Sequence, residues 1–182
     1  QSQPDQLTPQ PNLGPITSGP RPPNAPPARV PREQVGGMPI YGQGEVNPMD
    51  VAGAGYGNAT ASIESGGRYN TQGPVTRTGD RAYGKHQVMG ANVPAFTRDA
   101  TGTAATPQQF LANPDLQENT FNTKFAEYIN RYGSPEAAAR AWFAGEGGMN
   151  DPNRRDQLGT TVGQYGQRFA QAAGVPQGGQ AP

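Results

Sequence analysis

The chain has 182 residues, a formal net charge of zero and no cysteine. The balanced charge gives no reason to expect attraction to nucleic acid or to an anionic membrane, and the lack of cysteine excludes disulfides and thiol catalysis. No apolar run approaches the roughly 18 residues that a membrane span needs, so we expect no membrane span.

The first 48 residues are dominated by proline. Twelve of the twenty prolines lie between Pro4 and Pro48. Because proline fixes φ and removes a backbone donor, we expect residues 1–48 to form neither helix nor sheet. We interpret them as a disordered or polyproline-like linker, with an arm that orders only against a partner as the alternative. Residues 174–182 are predicted to be a second, flexible end.

Residues 49–173 are predicted to form one compact, mainly α domain. A first helix is expected over residues 51–65, with Pro48 ahead of it as a stop and Gly66 and Gly67 ending it. The glycines at 53, 55 and 57 weaken this helix. The one strand-like stretch, residues 73–80, is interpreted as a hairpin or an extended loop.

Four more helices are predicted from their start and stop residues. Thr106-Pro107-Gln108-Gln109 and Asn113-Pro114-Asp115 are start signals, and Gly133 ends the longer helix that follows. Ser134-Pro135-Glu136 caps a helix that runs to Ala144, and a last helix is expected from Thr160 or Thr161 to Ala173. The residues at helical spacing that we expect to be buried are Leu116, Phe121, Phe125, Tyr128, Ile129, Tyr132, Val162, Tyr165 and Phe169.

Glu64 is the first candidate for chemistry, because it lies where the first helix should end. A carboxylate there meets the negative end of the helix dipole, which is a poor place for an ordinary surface charge. This position suggests a raised pKa, and therefore an acid catalyst. His86, the only histidine, has no cysteine or acidic neighbours in sequence and is not expected to bind a metal.

Four segments occur in a recognisable order around this residue. They are Glu64-Ser65, Gly84-Lys85-His86-Gln87-Val88-Met89, Ala141-Trp142-Phe143-Ala144-Gly145, and Tyr165 in the last helix. Together they resemble the catalytic domains of the soluble lytic transglycosylases, which are similar to goose-type lysozyme. The similarity spans roughly residues 55–170. Trp142-Phe143 stands where that family has Tyr-Asn, and residues 71–81 form a longer, more polar insertion than usual.

The resemblance implies a lysozyme-like, goose-type α fold with a short hairpin or extended loop, and a single catalytic Glu64. In this family no metal or cofactor is needed, because the N-acetyl group and the 6-hydroxyl of the substrate act as nucleophiles. Glu64 would protonate the leaving oxygen and then take the proton of the 6-hydroxyl, which gives a 1,6-anhydro sugar. Asp80, Asp99, Glu118 and Glu146 lie in no matching motif that would make them a second carboxylate of the kind most glycosidases use.

The substrate-binding residues that the resemblance implies are Ser65, Gln87, Met89, Trp142 and Tyr165. For each, a purely structural role is the alternative. Ser65 is then a turn residue, Gln87 a partner of loop backbone, Met89 a core residue rather than groove wall, and Trp142 a core residue rather than a stacking platform. Tyr165 is expected either in the core or in a hydrogen bond to Glu64.

The expected function is cleavage of the MurNAc-GlcNAc β-1,4 bond of peptidoglycan glycan strands, with cell-wall opening by a phage virion or tail component as the setting. Residues 1–48 would contact other virion proteins, and the enzyme would act in the host periplasm. A transglycosylase of a bacterial secretion system is the alternative setting. The alternative functions are a muramidase that uses water and an inactive structural or wall-binding module, which the Trp142-Phe143 replacement favours.

Overall fold

The computed structural model describes residues 34–35, 38–39, 44–156 and 158–176. The chain divides into two units, Gln1–Val30 and Pro31–Pro182, and every described residue belongs to the second. The elements are β1 (Gln34–Val35), β2 (Met38–Pro39), α1 (Pro48–Gly53), α2 (Tyr56–Glu64), β3 (Ala82–Tyr83), β4 (Val88–Met89), α3 (Val93–Thr101), α4 (Pro107–Leu111), α5 (Pro114–Tyr132), α6 (Pro135–Ala144) and α7 (Val162–Ala173). The described part is therefore mainly α, as predicted.

Helices α4 to α7 begin where their cap residues predict. The side chains of Thr106, Asn113, Ser134 and Thr161 each accept a backbone N–H of the first helical turn, which satisfies donors that a helix start leaves unpaired. Gly133 ends α5 in the left-handed region, with φ of 82°. Of the residues expected to be buried on α5, Leu116 and Tyr132 are only partly buried.

The first predicted helix is in fact two. Helix α1 ends before Ala54, and Gly55, with φ of 73°, starts α2, so the glycines that weaken this stretch divide it. Pro48 does not stop preceding structure but is the first residue of α1, which Asn47 caps through the N–H groups of Met49 and Asp50. Gly66 and Gly67 follow α2 with positive φ, as predicted.

The proline-rich segment differs from its prediction in the part that the structure describes. Strands β1 and β2 pair as an antiparallel hairpin, and residues 1–33, 36–37 and 40–43 lie outside the described residues. Val46 is buried, and its N–H and carbonyl pair with the side-chain amide of Asn130 at 2.6 and 2.7 Å. The helical domain therefore begins before residue 49.

The first residues of the predicted flexible end are in fact held against the helical domain. Gly174 caps α7, and Val175 donates its N–H to the Ala170 carbonyl and packs against the core. Residues 177–182 lie outside the described residues.

The β3–β4 hairpin and helix α3, like the β1–β2 hairpin, had no counterpart among the predicted elements. Strands β3 and β4 form a short antiparallel hairpin, whereas residues 73–80 are a loop, closed by a hydrogen bond from Thr76 N to Asp80 O. Helix α3 begins at Val93 and has Pro94 in its first turn, but the side chain of its cap residue, Asn92, makes no cap hydrogen bond.

The core consists of two clusters joined by one aromatic ring. The larger cluster lies among α1, α2, α5, α6 and α7, and the smaller contains Val88, Val93 and Phe110. Trp142 packs against both. Among the described residues, no helix is long and apolar enough to cross a membrane.

Candidate active site

The site is built on Glu64, the last residue of α2. Tyr165 on α7 donates its hydroxyl proton to Oε1 of Glu64 at 2.7 Å. The Tyr165 side chain is buried, with 1% of its surface exposed, and its ring stacks on Phe143 of α6 with a centroid distance of 4.4 Å. Three helices thus fix one carboxyl group, and Tyr165, expected either in the core or in a hydrogen bond to Glu64, lies in the core and also makes that bond.

The pKa of Glu64 is raised from 4.5 to about 7. Burial is the largest cause, because it penalises the charged form. The Tyr165 hydrogen bond acts in the opposite direction, since it favours the carboxylate, and the negative charge of Asp156 raises the pKa further. A carboxyl with this pKa is partly protonated and partly ionised near neutral pH. It can therefore both donate and accept a proton.

Tyr165 remains a hydrogen-bond donor at neutral and moderately alkaline pH. Its pKa is raised well above 10, first by burial and then by the charge of Glu64. The hydroxyl therefore stays protonated and orients the carboxyl.

Ser65 holds the end of α2 to the β3–β4 hairpin. Its hydroxyl donates to the Lys85 carbonyl at 2.7 Å and accepts the N–H of Gly67 at 3.1 Å. The side chain is buried, and its single proton is used within the protein. The contacts are those of the alternative structural role, through which Ser65 positions its neighbour Glu64.

Gln87 lies in the turn between β3 and β4 and is the only described non-glycine residue with a positive φ, 52°. Its amide nitrogen donates to the Gly84 carbonyl at 2.9 Å and lies 3.5 Å from the Thr71 carbonyl. These are loop-backbone contacts. Residues other than glycine rarely adopt the left-handed conformation, and those that do often lie at functional sites.

Met89 and Trp142 differ in how far they belong to the core. Met89 is partly buried on β4. The Trp142 indole N–H donates to the His86 carbonyl at 3.0 Å, and its ring meets Phe121 edge-on at 4.9 Å. Trp142 therefore joins α6 to the segment that carries Gln87, and its ring is only partly buried.

A buried charged network beneath this segment was not predicted. The ammonium group of Lys85 lies 2.8 Å from Glu118 and 3.2 Å from the Asn58 side chain, and Nε2 of His86 lies 3.4 Å from the same carboxylate. Burial acts to raise the pKa of Glu118, but the hydrogen bonds from His86 and Lys85 outweigh it and lower that pKa to about 2. The His86 pKa is lowered, mainly by burial. Glu118 is therefore a fixed counter-ion.

Gln117 is a second residue that sequence reasoning missed. Its side chain is fully buried, accepts the Lys85 N–H at 2.7 Å and donates to the carbonyls of Tyr69 and Phe110 at 3.1 Å. A Cβ at Gly84 would overlap the side-chain amide of Gln117. Gln117 thereby ties the turn after Glu64 to the second motif, and only glycine fits beside it.

The four carboxylates considered as a second catalytic carboxylate all bind groups other than Glu64. Asp80 accepts the N–H groups of Arg81 and Ala91. The other three form ion pairs: Asp99 with Lys124, Glu118 with Lys85, and Glu146 with Arg131.

Asp156 is the carboxylate that sequence reasoning missed. Its charge acts on Glu64, although 92 positions separate the two in sequence. Its Oδ1 accepts the N–H groups of Leu158 at 2.9 Å and Thr160 at 2.8 Å. These bonds fix Asp156 just ahead of α7, the helix that carries Tyr165, and its negative charge raises the pKa of Glu64.

No group of three or more His, Cys, Asp or Glu side chains within the described ranges could hold a metal ion. The site's polar groups are suited to proton transfer and hydrogen bonding.

No protein-family model matches the chain, and no curated protein is significantly similar to it in sequence.

Proposed function

We propose that the chain is a peptidoglycan lytic transglycosylase with a lysozyme-like, goose-type α fold. The observation that carries the proposal is the Glu64 carboxyl, held by Tyr165 at the end of α2 with its pKa raised to about 7. A glycosidic oxygen leaves readily only when it is protonated as the bond breaks, and such a carboxyl supplies that proton near neutral pH.

The reaction proceeds in two steps. Glu64 first donates its proton to the oxygen between MurNAc and GlcNAc while the acetamido oxygen of MurNAc attacks C1, which gives an oxazolinium ion and releases the GlcNAc hydroxyl. The Glu64 carboxylate then takes the proton of the 6-hydroxyl as that oxygen attacks C1 and displaces the acetamido oxygen. The product is a 1,6-anhydro-MurNAc end, no water is consumed, and Glu64 is protonated again.

The second step is favourable because its nucleophile is already attached to the substrate. A well-oriented intramolecular group acts at a very high effective concentration. Glu64 needs no second carboxylate in this two-step reaction. Between the steps, Tyr165 stabilises the ionised form of Glu64 by hydrogen bonding to it.

The substrate would be contacted by groups that the protein's own hydrogen bonds leave unused. The Gln87 amide nitrogen is used by backbone carbonyls, so its carbonyl oxygen is the group that would accept a sugar hydroxyl. Met89 and the partly buried ring of Trp142 would provide apolar contacts to the sugar faces. Ser65 and Gln117 would position the segments that carry Glu64 and Gln87.

Hydrolysis of the same bond is the second candidate, and Asp156 is the observation that favours it. An inverting glycosidase holds its two carboxyl groups roughly 6.5–9.5 Å apart, so that the base activates a water molecule. In that case Asp156 is the base, Glu64 the acid, and the product carries an ordinary reducing end.

An inactive wall-binding module has less support. The replacement of Tyr-Asn by Trp142-Phe143 is its main argument, but both rings have contacts that organise the site: Phe143 stacks on Tyr165, and Trp142 binds the second motif. A binding module also has no need of a carboxyl whose burial costs stability.

The test is mass spectrometry of purified peptidoglycan digested by the full chain, with and without borohydride reduction. Transglycosylation gives muropeptides that resist reduction and are lighter by one water than the hydrolytic products. Reducible ends alone would establish hydrolysis, and no soluble product from several peptidoglycan types would leave the wall-binding module. Glu64→Gln serves as the inactive control.

The setting proposed from the sequence is a phage virion or tail protein that opens the wall for DNA entry and acts in the host periplasm. Residues 1–48 would then contact other virion proteins, and a secretion-system transglycosylase in the bacterial periplasm is the alternative. Chemical cross-linking of the purified virion or secretion apparatus would identify which assembly contains the chain.

A further inference from the structure

A small cavity adjoins the candidate active site. It has a volume of about 130 Å³ and is lined by Phe143, Ala144, Arg154, Arg155, Asp156 and Val162. Phe143 separates it from the Tyr165 ring, on which it stacks. The volume is below the roughly 300 Å³ at which pockets for whole small molecules begin, so the cavity fits a single substituent of a larger ligand.

The backbone of the cavity wall places two opposite charges on the same side. Arg155 pairs with Thr161 in an antiparallel bridge, and hydrogen bonds from Val162 N to Arg154 O and from Asp156 N to Thr160 O extend the pairing. In extended backbone, residues two apart face the same side, roughly 6.5 Å apart. Arg154 and Asp156 therefore share one face, while the Arg155 guanidinium turns back to the Gly159 carbonyl.

These two charges do not neutralise each other. Within residues 44–156 and 158–176, neither Arg154 nor Asp156 forms an ion pair, and Oδ2 of Asp156 has no hydrogen-bond partner. By contrast, the carboxylates of Asp99, Glu118, Glu136 and Glu146 are all paired with cations. The cavity thus presents a guanidinium and a carboxylate, separated by a gap, against the apolar side chains of Phe143, Ala144 and Val162.

We propose that this cavity binds a zwitterionic amino-acid group, with its carboxylate on Arg154, its ammonium on Asp156 and its methylene chain on Phe143 and Val162. A guanidinium recognises a carboxylate through parallel N–H donors, and a carboxylate accepts from an ammonium. One ligand that carries both ions on a single carbon satisfies both residues, whereas a simple anion or a simple cation satisfies only one.

Resting on the proposed function, the source of this group is the peptide stem of the glycan strand. A stem with a diaminodicarboxylic acid at its third position carries a free ammonium and a free carboxylate on the same carbon. A stem with lysine at that position carries the ammonium without that carboxylate. The cavity therefore selects peptidoglycan of the diaminopimelate type whose diaminopimelate amine is not crosslinked, since a crosslink at that amine would consume the ammonium.

The experiment measures binding of two synthetic peptides to the full chain by isothermal titration calorimetry. The probes are L-Ala-γ-D-Glu-meso-diaminopimelate and the same peptide with L-lysine in third place. Hydrogen bonds to charged groups contribute about 1.5–3 kcal/mol, so we expect the first peptide to bind at least about tenfold more tightly. Free D-alanine, tested as a competitor, shows whether an isolated amino acid is sufficient.

The variants are Arg154→Gln and Asp156→Asn, with Arg98→Gln on α3 as the control that removes one cation elsewhere. Asparagine keeps the Oδ1 acceptor that holds residues 158–160, so Asp156→Asn removes the charge without removing the loop contacts. Both cavity variants are expected to weaken diaminopimelate-peptide binding about tenfold and to abolish the preference over lysine, while Arg98→Gln keeps it. Circular dichroism verifies that each variant folds.

Because neither peptide contains a glycosidic bond, the outcome is independent of catalysis. Equal binding of the two peptides, no binding of either, or an unchanged preference in Arg154→Gln overturns the proposal. Discrimination between the peptides by a chain that cleaves no glycan would leave the binding site in place and overturn the transglycosylase instead. Cleavage of glycan by a chain that does not discriminate between the peptides would overturn the binding site and leave the transglycosylase in place.

Discussion

Replacing Glu64 by glutamine should stabilise the protein at alkaline pH while removing its activity. The pKa of Glu64 is about 7 in the folded chain, whereas the ordinary value for glutamate, which applies in the unfolded chain, is 4.5. Between these values the folded state holds a proton that the unfolded state has lost, so the contribution of Glu64 to stability falls as the pH rises from about 4.5 to about 7. Glutamine is neutral in both states and has no such dependence.

The magnitude follows from the pKa difference of about 2.5. At roughly 1.4 kcal/mol for each pKa unit this is at most about 3.5 kcal/mol. Because Glu64 is only partly buried by surface area, screening by solvent reduces the expected value to about 2 kcal/mol. At pH 4 the two proteins should differ little from this cause, since Glu64 is then largely protonated whether the chain is folded or unfolded.

The assay is urea unfolding at pH 4, 6 and 8, followed by circular dichroism, together with peptidoglycan cleavage at each pH. The free energy of unfolding of Glu64→Gln minus that of the wild type should increase by about 2 kcal/mol from pH 4 to pH 8. Cleavage should fall on the order of 10²–10⁴-fold, because the amide cannot donate the proton.

Glu118→Gln is the matched control with the opposite sign. The Glu118 pKa is lowered to about 2, so its contribution to stability is present above about 4.5 and is lost as the pH falls toward 2. This variant should be destabilised at pH 8 by about 1–3 kcal/mol, since Lys85 loses its counter-ion. A stability difference for Glu64→Gln that is the same at pH 4 and pH 8 would refute the raised pKa of Glu64.

Three further predictions concern the site and the start of the domain. Tyr165→Phe removes the bond that lowers the Glu64 pKa, so the alkaline limb of the pH–rate profile should move to higher pH, and an unmoved limb would mean that Tyr165 does not act on the acid. Asp156→Asn removes a charge that raises this pKa and should move the limb to lower pH while keeping 1,6-anhydro products; loss of all cleavage would instead identify Asp156 as the base of a hydrolase. A chain starting at residue 44 should cleave peptidoglycan as the full chain does, whereas one starting at Pro48 loses the α1 cap and the hydrogen bonds of residue 46 and should be less stable by about 2 kcal/mol in urea unfolding.

The helices that sequence predicted well are those whose boundaries are set by local chemistry. The cap residues of α4 to α7 bond to N–H groups two or three positions ahead, so the information lies within one helical turn. Helix α3 was not predicted: Asn92 and Pro94 are residues typical of a helix start, but the Asn92 side chain makes no cap hydrogen bond and its backbone is helical rather than extended. The division between α1 and α2 at Gly55 depends on a left-handed residue, which glycine permits but does not require.

The hydrogen bond between Tyr165 and Glu64 was among the alternatives that the sequence left open, whereas most of what surrounds the two residues was not. Glu64 and Tyr165 lie in motifs whose order carries information. Asp156 and Gln117 act on residues 92 and 32 positions away, so only the folded chain brings them together. Ser65 and Trp142 were found by their motifs, yet their contacts are with main-chain carbonyls of Lys85 and His86, which no side-chain pattern specifies.

The position of Trp142 gives the protein a built-in optical probe. It is the only tryptophan of the chain, its ring packs against both core clusters, and its indole N–H bonds to the backbone beside Gln87. Indole fluorescence responds to the polarity and hydrogen bonding of its surroundings, so one emission spectrum reports whether α6 remains attached to the turn that carries Gln87. Ligand binding at that turn and separation of the two clusters during unfolding can therefore be followed in the unlabelled protein.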